Sequence, residues 1–389
     1  MSEAIELAPC NIEPRPYQQR IVSKVVGMLL GRYRNGAGEL EEALRSVLIE
    51  SPTGSGKTCM GLWIAKTLQE YIPNDLVIGW IAMRRNLLSQ AAQENKKLGM
   101  DVKDIHFVSM FEKEPIELLN ARKDGKKILL ISDEAQHDGA GSMAHLYNLI
   151  QPDFILGLTA TAFRGDKIKL CFDAVVRDTG IHQLIQDGYL SEFNYFAVNE
   201  WTPQSLTRLY LDHRDRWGKS IFFQRSLREC RELASLLSAK GIKLEVVTGS
   251  SDRDSQLSRF RNGEVEVLIN CMVLTEGFDD PTLQTVFVRP SSRGPTTQMS
   301  GRALRKHPGI PFKNIVQGVP AKHPFTKTAK PIQQYLMRNG EWLSLMINPA
   351  LDLCSNNSRR LMATTEVKLP EFLRKKRSRR NRRPRTVEV

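Results

Sequence analysis

Two trains of short apolar runs, each run followed by a helical pattern, constrain the fold of this chain more than any other feature. "RSVLIE" (45–50), "DLVIGWIAM" (75–83), "IHFVSM" (105–110), "KKILLIS" (126–132) and "FILGLT" (154–159) form the first train. They lack the polar alternation of half-exposed strands and read as strands buried on both faces. Helix-period segments such as "CMGLWIAKTLQEYI" (59–72) and "NLLSQAAQENKKLG" (86–99) lie between them. Strand and helix in regular alternation predict a parallel α/β sheet. The rhythm breaks around "DGYLSEFNYFAV" (187–198) and restarts with "KSIFFQ", "KLEVVTG", "VEVLINC", "TVFVRP" and "NIVQGV". In the second train, Ser226 is the expected N-cap of a helix and Gly241 its stop.

The fold class is therefore α/β, with two tandem parallel-sheet domains at 1–192 and 193–320. "QQYLMRNGEWLSL" (333–345) reads as a hairpin turning on Asn339-Gly340, within a small extension at 321–350. Residues 351–389 are expected to be largely disordered. The 389-residue chain carries a net charge of +13, and Arg374–Arg385, "RKKRSRRNRRPR", contributes nine Lys or Arg and no acid. Like charges at that density resist packing, so this basic tail suits phosphate binding more than merely solubilising the chain, with a nuclear localisation signal as another reading. The remaining body is only mildly basic. Six scattered cysteines without a C-x-x-C pair speak against zinc and against a disulfide framework. No apolar run approaches the roughly 18 residues of a membrane span, and the acidic N-terminus lacks signal-peptide order. A cytoplasmic location is the expectation.

One loop carries recognisable chemistry. In "SVLIESPTGSGKTCMGLWIAK" (46–66), the segment Ser51-Pro52-Thr53-Gly54-Ser55-Gly56-Lys57-Thr58 joins a buried strand to a helix. Glycines permit a tight, partly left-handed path, backbone N–H groups and a helix N-terminus converge on an anion, and Lys57 suits β- and γ-phosphate oxygens. The Thr58 hydroxyl suits Mg²⁺. The strict phosphate-loop pattern wants glycine at position 51, where this chain has serine. A second element, "KKILLISDEAQHDGA" (126–140), ends another buried strand with Asp133 and Glu134. Ligands of open α/β sheets bind at the carboxyl ends of strands, so both elements can face one crevice. There Asp133 would hold Mg²⁺ and Glu134 would orient and polarise an attacking water.

Taken in order, "SPTGSGKT", "DEAQH", "GLTATAFR", "TEGFDDP" and "QMSGRALR" resemble the motifs of superfamily 2 helicases and translocases across roughly residues 15–305. In that family the loop is commonly A-x-x-G-x-G-K-T, which accommodates Ser51. The likeness is greatest to a DEAH-like DNA-remodelling branch, of phage or bacterial type, that begins with an "R-P-Y-Q" element, here Arg15 to Gln18. It implies two RecA-like domains with ATP and Mg²⁺ in the cleft between them, and Gln18 reading the adenine edge with Arg15 nearby. It further implies Arg85 and Thr275 at the nucleic-acid backbone, and Gly277 and Asp279 near the nucleotide. Thr159 and Thr161 would couple the nucleotide site to strand binding. Gln298, Arg302 and Arg305, spaced i, i+4 and i+7, would lie on one face of a helix, with the two arginines reaching the γ-phosphate. The chain departs from the family pattern at Gln136, followed by His137, where Asp or His is usual. An amide cannot titrate, so coupling between hydrolysis and movement is the property this puts in question.

The resemblance implies an ATP-dependent helicase or translocase acting on nucleic acid, with DNA favoured over RNA, and functioning as a monomer. A double-strand translocase or annealing enzyme shares the same motor residues. A non-enzymatic nucleic-acid-binding protein working through its tail is the reading from another class.

Overall fold

The computed structural model describes residues 5–137, 141–160, 170–271, 274, 278–338 and 340–344. Thr161, Thr275, Gly277 and the basic tail lie outside the described residues, as does the side chain of His137. Among the described residues, no helix is long and apolar enough to cross a membrane.

The first domain runs α1 (Pro16–Leu29), β1 (Ser46–Glu50), α2 (Lys57–Tyr71), β2 (Leu76–Ala82), α3 (Arg85–Lys97), β3 (Ile105–Ser109), α4 (Ile116–Lys123), β4 (Lys127–Asp133), α5 (Gly141–Ile150), β5 (Phe154–Thr159), β6 (Ala174–Val176) and α6 (Ile181–Gln186). Its strands form one sheet in the order β3-β2-β4-β5-β1-β6, with every pairing parallel. β2 is buried at all seven positions because it lies between β3 and β4 with helices over both faces, while β3, at the edge, is mostly half-buried. All five runs of the first train thus appear as strands. The parallel arrangement brings the carboxyl ends of β1, β2, β3, β4 and β5 to a single edge.

The second domain contains β7 (Glu192–Val198), α7 (Pro203–Asp212), α8 (Arg214–Trp217), β8 (Ser220–Phe223), α9 (Leu227–Ser238), β9 (Leu244–Val247), α10 (Arg253–Arg261), β10 (Val267–Asn270), β11 (Thr285–Val288), α11 (Arg293–Gly301), β12 (Phe312–Gly318), β13 (Gln333–Arg338) and β14 (Glu341–Ser344). Its sheet order is β14-β13-β7-β12-β11-β8-β10-β9. The Ser226 side chain caps α9 by accepting from Glu229 N, and Gly241 takes a positive φ of 76° after the helix. β13 and β14 pair antiparallel, and β13 also adds parallel to β7, so the hairpin continues the second sheet. Trp342 packs into an aromatic cluster with Phe196 and Trp217.

One apolar core cluster spans the two domains. It runs from α1, α2 and β1 through Leu190 and Phe193 to Ile221, Phe223 and Val286 of the second sheet. The linker is fastened at the same place: Ser191 N donates to Leu304 O at 2.8 Å and Ser191 Oγ to Arg305 O at 3.1 Å. The second domain is thereby seated with its Arg302–Arg305 turn over the carboxyl end of β1.

Candidate functional site

The loop after β1 turns on two glycines in the left-handed region, Gly54 at φ 88° and Gly56 at φ 82°, and Gly56 is the N-cap of α2. Several groups hold this turn from behind. Ser51 N donates to Thr159 O (2.9 Å), and Ser51 Oγ donates to Ser55 Oγ (2.7 Å). The Ser55 carbonyl accepts from both Tyr17 OH (2.6 Å) and Gln18 Nε2 (2.9 Å). Ser51 and Ser55 are buried, so they brace the loop, and Pro52 accepts from Ser55 N through its carbonyl. The position where the strict pattern wants glycine is therefore occupied by a hydroxyl used inside the turn.

In front of the loop lies a cavity of about 540 Å³ between the domains. From the first domain it is lined by Arg15, Gln18, Thr53, Gly54, Gly56, Lys57, Thr58, Asp133 and Glu134. From the second it is lined by Phe278, Asp279, Pro281, Arg302, Arg305 and Lys306. The sequence motifs at 51–58, 133–134, 278–279 and 302–305 thus meet in one space.

Charge is concentrated there. Burial pushes the Lys57 ammonium below its ordinary value, the Glu134 and Asp133 carboxylates oppose that shift, and Arg302 and Arg305 add to it. Burial, then the neighbouring Glu134, raises the Asp133 carboxyl well above the usual carboxylate range despite Lys57. Perturbed buried groups of this kind cluster at functional sites. Glu134 itself holds φ at 57°, a left-handed backbone that costs on the order of 1–2 kcal/mol for a residue with a side chain. Its Oε2 accepts from Gln136 Nε2 at 2.9 Å, and Gln136 Oε1 accepts from Thr159 Oγ1 at 2.7 Å. The amide therefore spans the space between the carboxylate and the end of β5. An Asp there would offer only acceptors to Glu134.

The arginines correct one expectation. α11 ends at Gly301, so Gln298, Arg302 and Arg305 do not share one helix face. Arg302, Ala303 and Leu304 continue instead through three successive i to i+3 backbone bonds onto Met299, Ser300 and Gly301. Three residues per turn stack positions i and i+3, which keeps both guanidiniums on the cavity side. The tightening coincides with close packing, because a Cβ at Gly301 would lie 3.2 Å from Thr53 Cβ. Arg302 Nη1 donates to Phe278 O (2.8 Å), and Arg305 Nε to Asp279 Oδ1 (2.7 Å). The Arg305 guanidinium also occupies the room that a Cβ on Gly54 would need, so it reaches the phosphate loop itself. Gln298 is half-buried and does not line the cavity. Arg85 is exposed at the start of α3, also away from the cavity.

Gln18 lines the cavity and also braces the loop. Its Nε2 donates to the loop and its Oε1 accepts from Arg15 N (3.1 Å), so this amide joins α1 to the turn in the present structure. Three features escaped the sequence reading. Arg15 lies 4.8 Å over the Tyr189 ring, against which Tyr17 packs edge-on at 5.7 Å. Glu94 of α3 lines the cavity beside Gln90, its carboxyl raised chiefly by burial. Lys313 on β12, fully buried, donates to Pro281 O and Leu283 O, both at 2.7 Å, with its ammonium lowered to about 8 by burial. Of these only Arg15 and Tyr17 carried a signal, as the first and third residues of the "R-P-Y-Q" element.

Comparisons with known proteins bear on the family and the fold. Residues 11–164 match the family model of the type III restriction enzyme res subunit, and residues 201–307 match the helicase conserved C-terminal domain. The chain belongs to the superfamily 2 helicases. A 51.5 kDa protein of Lactococcus phage (isolate 7-9) is 25% identical over 275 residues, covering 63% of this chain and 59% of the relative. The putative mitochondrial ATP-dependent helicase irc3 of Schizosaccharomyces pombe is 25% identical over 350 residues, covering 76% of this chain and 55% of the relative. This superfamily 2 chain thus spans less than two thirds of the length of either relative. Among solved structures, the type ISP restriction-modification enzyme LlaBIII bound to DNA superposes with a TM-score of 0.54 at 17% identity, over 80% of this chain and 28% of that one. Saccharomyces cerevisiae Dbp5 bound to RNA and ADP BeF3 superposes at 0.55 and 17% identity, over 84% and 90% of the two chains. Those likenesses establish the fold.

Proposed function

We propose that this chain is a nucleic-acid-dependent ATPase that couples ATP hydrolysis to movement along, or remodelling of, DNA. The observation that carries the reading is one cavity holding Lys57, Asp133 and Glu134 from the first domain with Arg302 and Arg305 from the second. Three cations over a glycine turn suit a triphosphate: Lys57 takes the β- and γ-oxygens, and the two guanidiniums meet the γ-phosphate from the opposite side. Glu134 orients and polarises the attacking water. Arg15 and Gln18 border the nucleoside end, and Asp279 holds Arg305 until phosphate competes for it. Thr58 and Asp133 would hold Mg²⁺: hydroxyl and carboxylate oxygens suit a hard cation, and both residues line the cavity. When bound, Mg²⁺ supplies neutralisation of phosphate-oxygen charge.

Because neither domain completes the site, closure follows the presence of the γ-phosphate and hydrolysis relaxes it, a hinge transition of a known kind. Gln136, joining Glu134 to Thr159, is the path by which the state of the site reaches the end of β5. A polymer contacting both domains would be shifted in each cycle. DNA is favoured by the DNA-bound restriction enzyme and the res-subunit match, while the RNA-bound relative makes RNA the arm to test against. Phosphate release measured with single-stranded DNA, duplex DNA, branched DNA and RNA at fixed salt tests the proposal. Stimulation by DNA supports it, and turnover indifferent to every polymer sinks it.

A further inference from the structure

The carboxyl edge of the first sheet has a feature that the nucleotide site does not use. Its strands end side by side: the phosphate loop after β1, Thr159 on β5, Asp133 on β4, Met83 to Arg85 after β2, and Met110 to Glu112 after the edge strand β3. β2 and β3 pair in register up to Ala82 and Ser109, and Met110 N donates to Ala82 O at 3.0 Å. Met110 is buried, and the turn is fixed by Glu112 N donating to Ser109 O (2.9 Å) and Phe111 N to Ser109 Oγ (3.3 Å). With one neighbour turned into the core and the backbone pinned, Phe111 projects 60% exposed.

An unpartnered phenyl ring in a braced turn is costly to leave in water and invites a flat apolar ligand. The surrounding charges differ. Exposed Glu112, Lys113 and Glu114 follow Phe111, a mixed group with one more acid than base, whereas exposed Arg85 stands after the neighbouring strand. Phosphate is better placed beside Arg85 than beside this net-acidic group. A strand crossing this edge with its backbone towards Arg85 leaves a base to lie on Phe111.

We propose that Phe111 is a stacking platform for an unpaired base of a nucleic-acid strand laid across the carboxyl edge of the first sheet. This rests on the reading of the chain as a nucleic-acid-dependent ATPase and adds that the bound strand is open at this point. A paired base buries its faces in its own stack, so the platform selects single-stranded over duplex polymer.

The test uses the full chain and a dT oligonucleotide carrying one 2-aminopurine, beside a duplex of equal length and a matched rU oligonucleotide. Phe111→Ala should weaken single-strand binding about tenfold, since stacking needs no counterion release, and so should leave the salt slope unchanged. Duplex affinity should stay within twofold, and Phe111→Trp should restore the single-strand affinity. Quenching of 2-aminopurine by the wild type should vanish in Phe111→Ala. The inference is overturned if Phe111→Ala binds the single strand like wild type, or loses duplex and single strand alike. It is also overturned if the substitution instead abolishes a self-association seen by sedimentation while oligonucleotide affinity is kept. Wild-type protein that binds none of the three polymers would overturn the nucleic-acid reading itself, and this inference with it. Full retention of rU binding with loss of dT binding would be overturning too, because a stacked ring does not distinguish the two sugars.

Discussion

The two loops that face each other across the cleft are held in place by different chemistry. In the first domain the phosphate loop is braced by neutral groups: the hydroxyls of Ser51 and Tyr17 and the amide of Gln18. In the second domain the segment around Asp279 is braced by buried cations, Arg302 on the Phe278 carbonyl and Lys313 on those of Pro281 and Leu283. Neutral bonds cost little to bury and hold whatever charge passes in front of them. Buried cations bond their acceptors more strongly, but they bring a desolvation cost and a sensitivity to pH and to nearby anions. The first loop is thus suited to stay still while phosphate comes and goes, and the second to respond to it.

Substitutions can break this contrast. Arg305→Ala removes the cation that the second domain brings to the first, and turnover should fall by about 10³-fold or more with ATP affinity nearly kept. Single-turnover phosphate release beside fluorescent-nucleotide binding checks it, and an unchanged rate would remove the interdomain role. Lys313→Met leaves two buried carbonyls without a donor at about 1–3 kcal/mol each, so the unfolding free energy should drop by about 3 kcal/mol in urea titrations. Tyr17→Phe loses one neutral bond to the Ser55 carbonyl, worth about 0.5–1.5 kcal/mol, and ATP should bind no more than about tenfold weaker.

The pH dependence of one buried cation sharpens the comparison most. Burial lowers the Lys313 ammonium from 10.5 to about 8, so the folded chain gives up this proton before the unfolded chain does. A depressed ammonium opposes folding fully below about pH 8, and that opposition fades as pH rises towards 10.5. Stability should therefore gain from this group between pH 8 and 10.5 in the wild type, and the gain should be absent in Lys313→Met. The groups facing it are Asp280 and the Pro281 and Leu283 carbonyls. Equal pH slopes for the two proteins would refute the assignment.

What was legible in the sequence was local. Strand, glycine turn and helix at 46–66 lie within twenty-one residues, and the carboxylates at the end of β4 follow from one apolar run. The end of α11 was not legible, because Gly301 meets Thr53 of the other domain and tightens the turn there. The partner of the hairpin was equally hidden: antiparallel pairing of β13 with β14 follows from proximity, but parallel addition to β7 joins positions more than a hundred residues apart. Glu94, Tyr189 and Lys313 gain their importance from neighbours that only folding supplies. Phe111 reads in the sequence as one more apolar residue ending a strand.

Gly54 carries a last consequence. The space its missing side chain leaves is filled by a guanidinium from the opposite lobe, so a glycine that the turn's own φ of 88° favours is required a second time by the other half. Chimeras that graft this N-terminal half onto a foreign C-terminal half would inherit a glycine that had kept its backbone reason and lost its steric one. Exchange of halves between relatives should succeed only when the cut keeps that steric bargain whole.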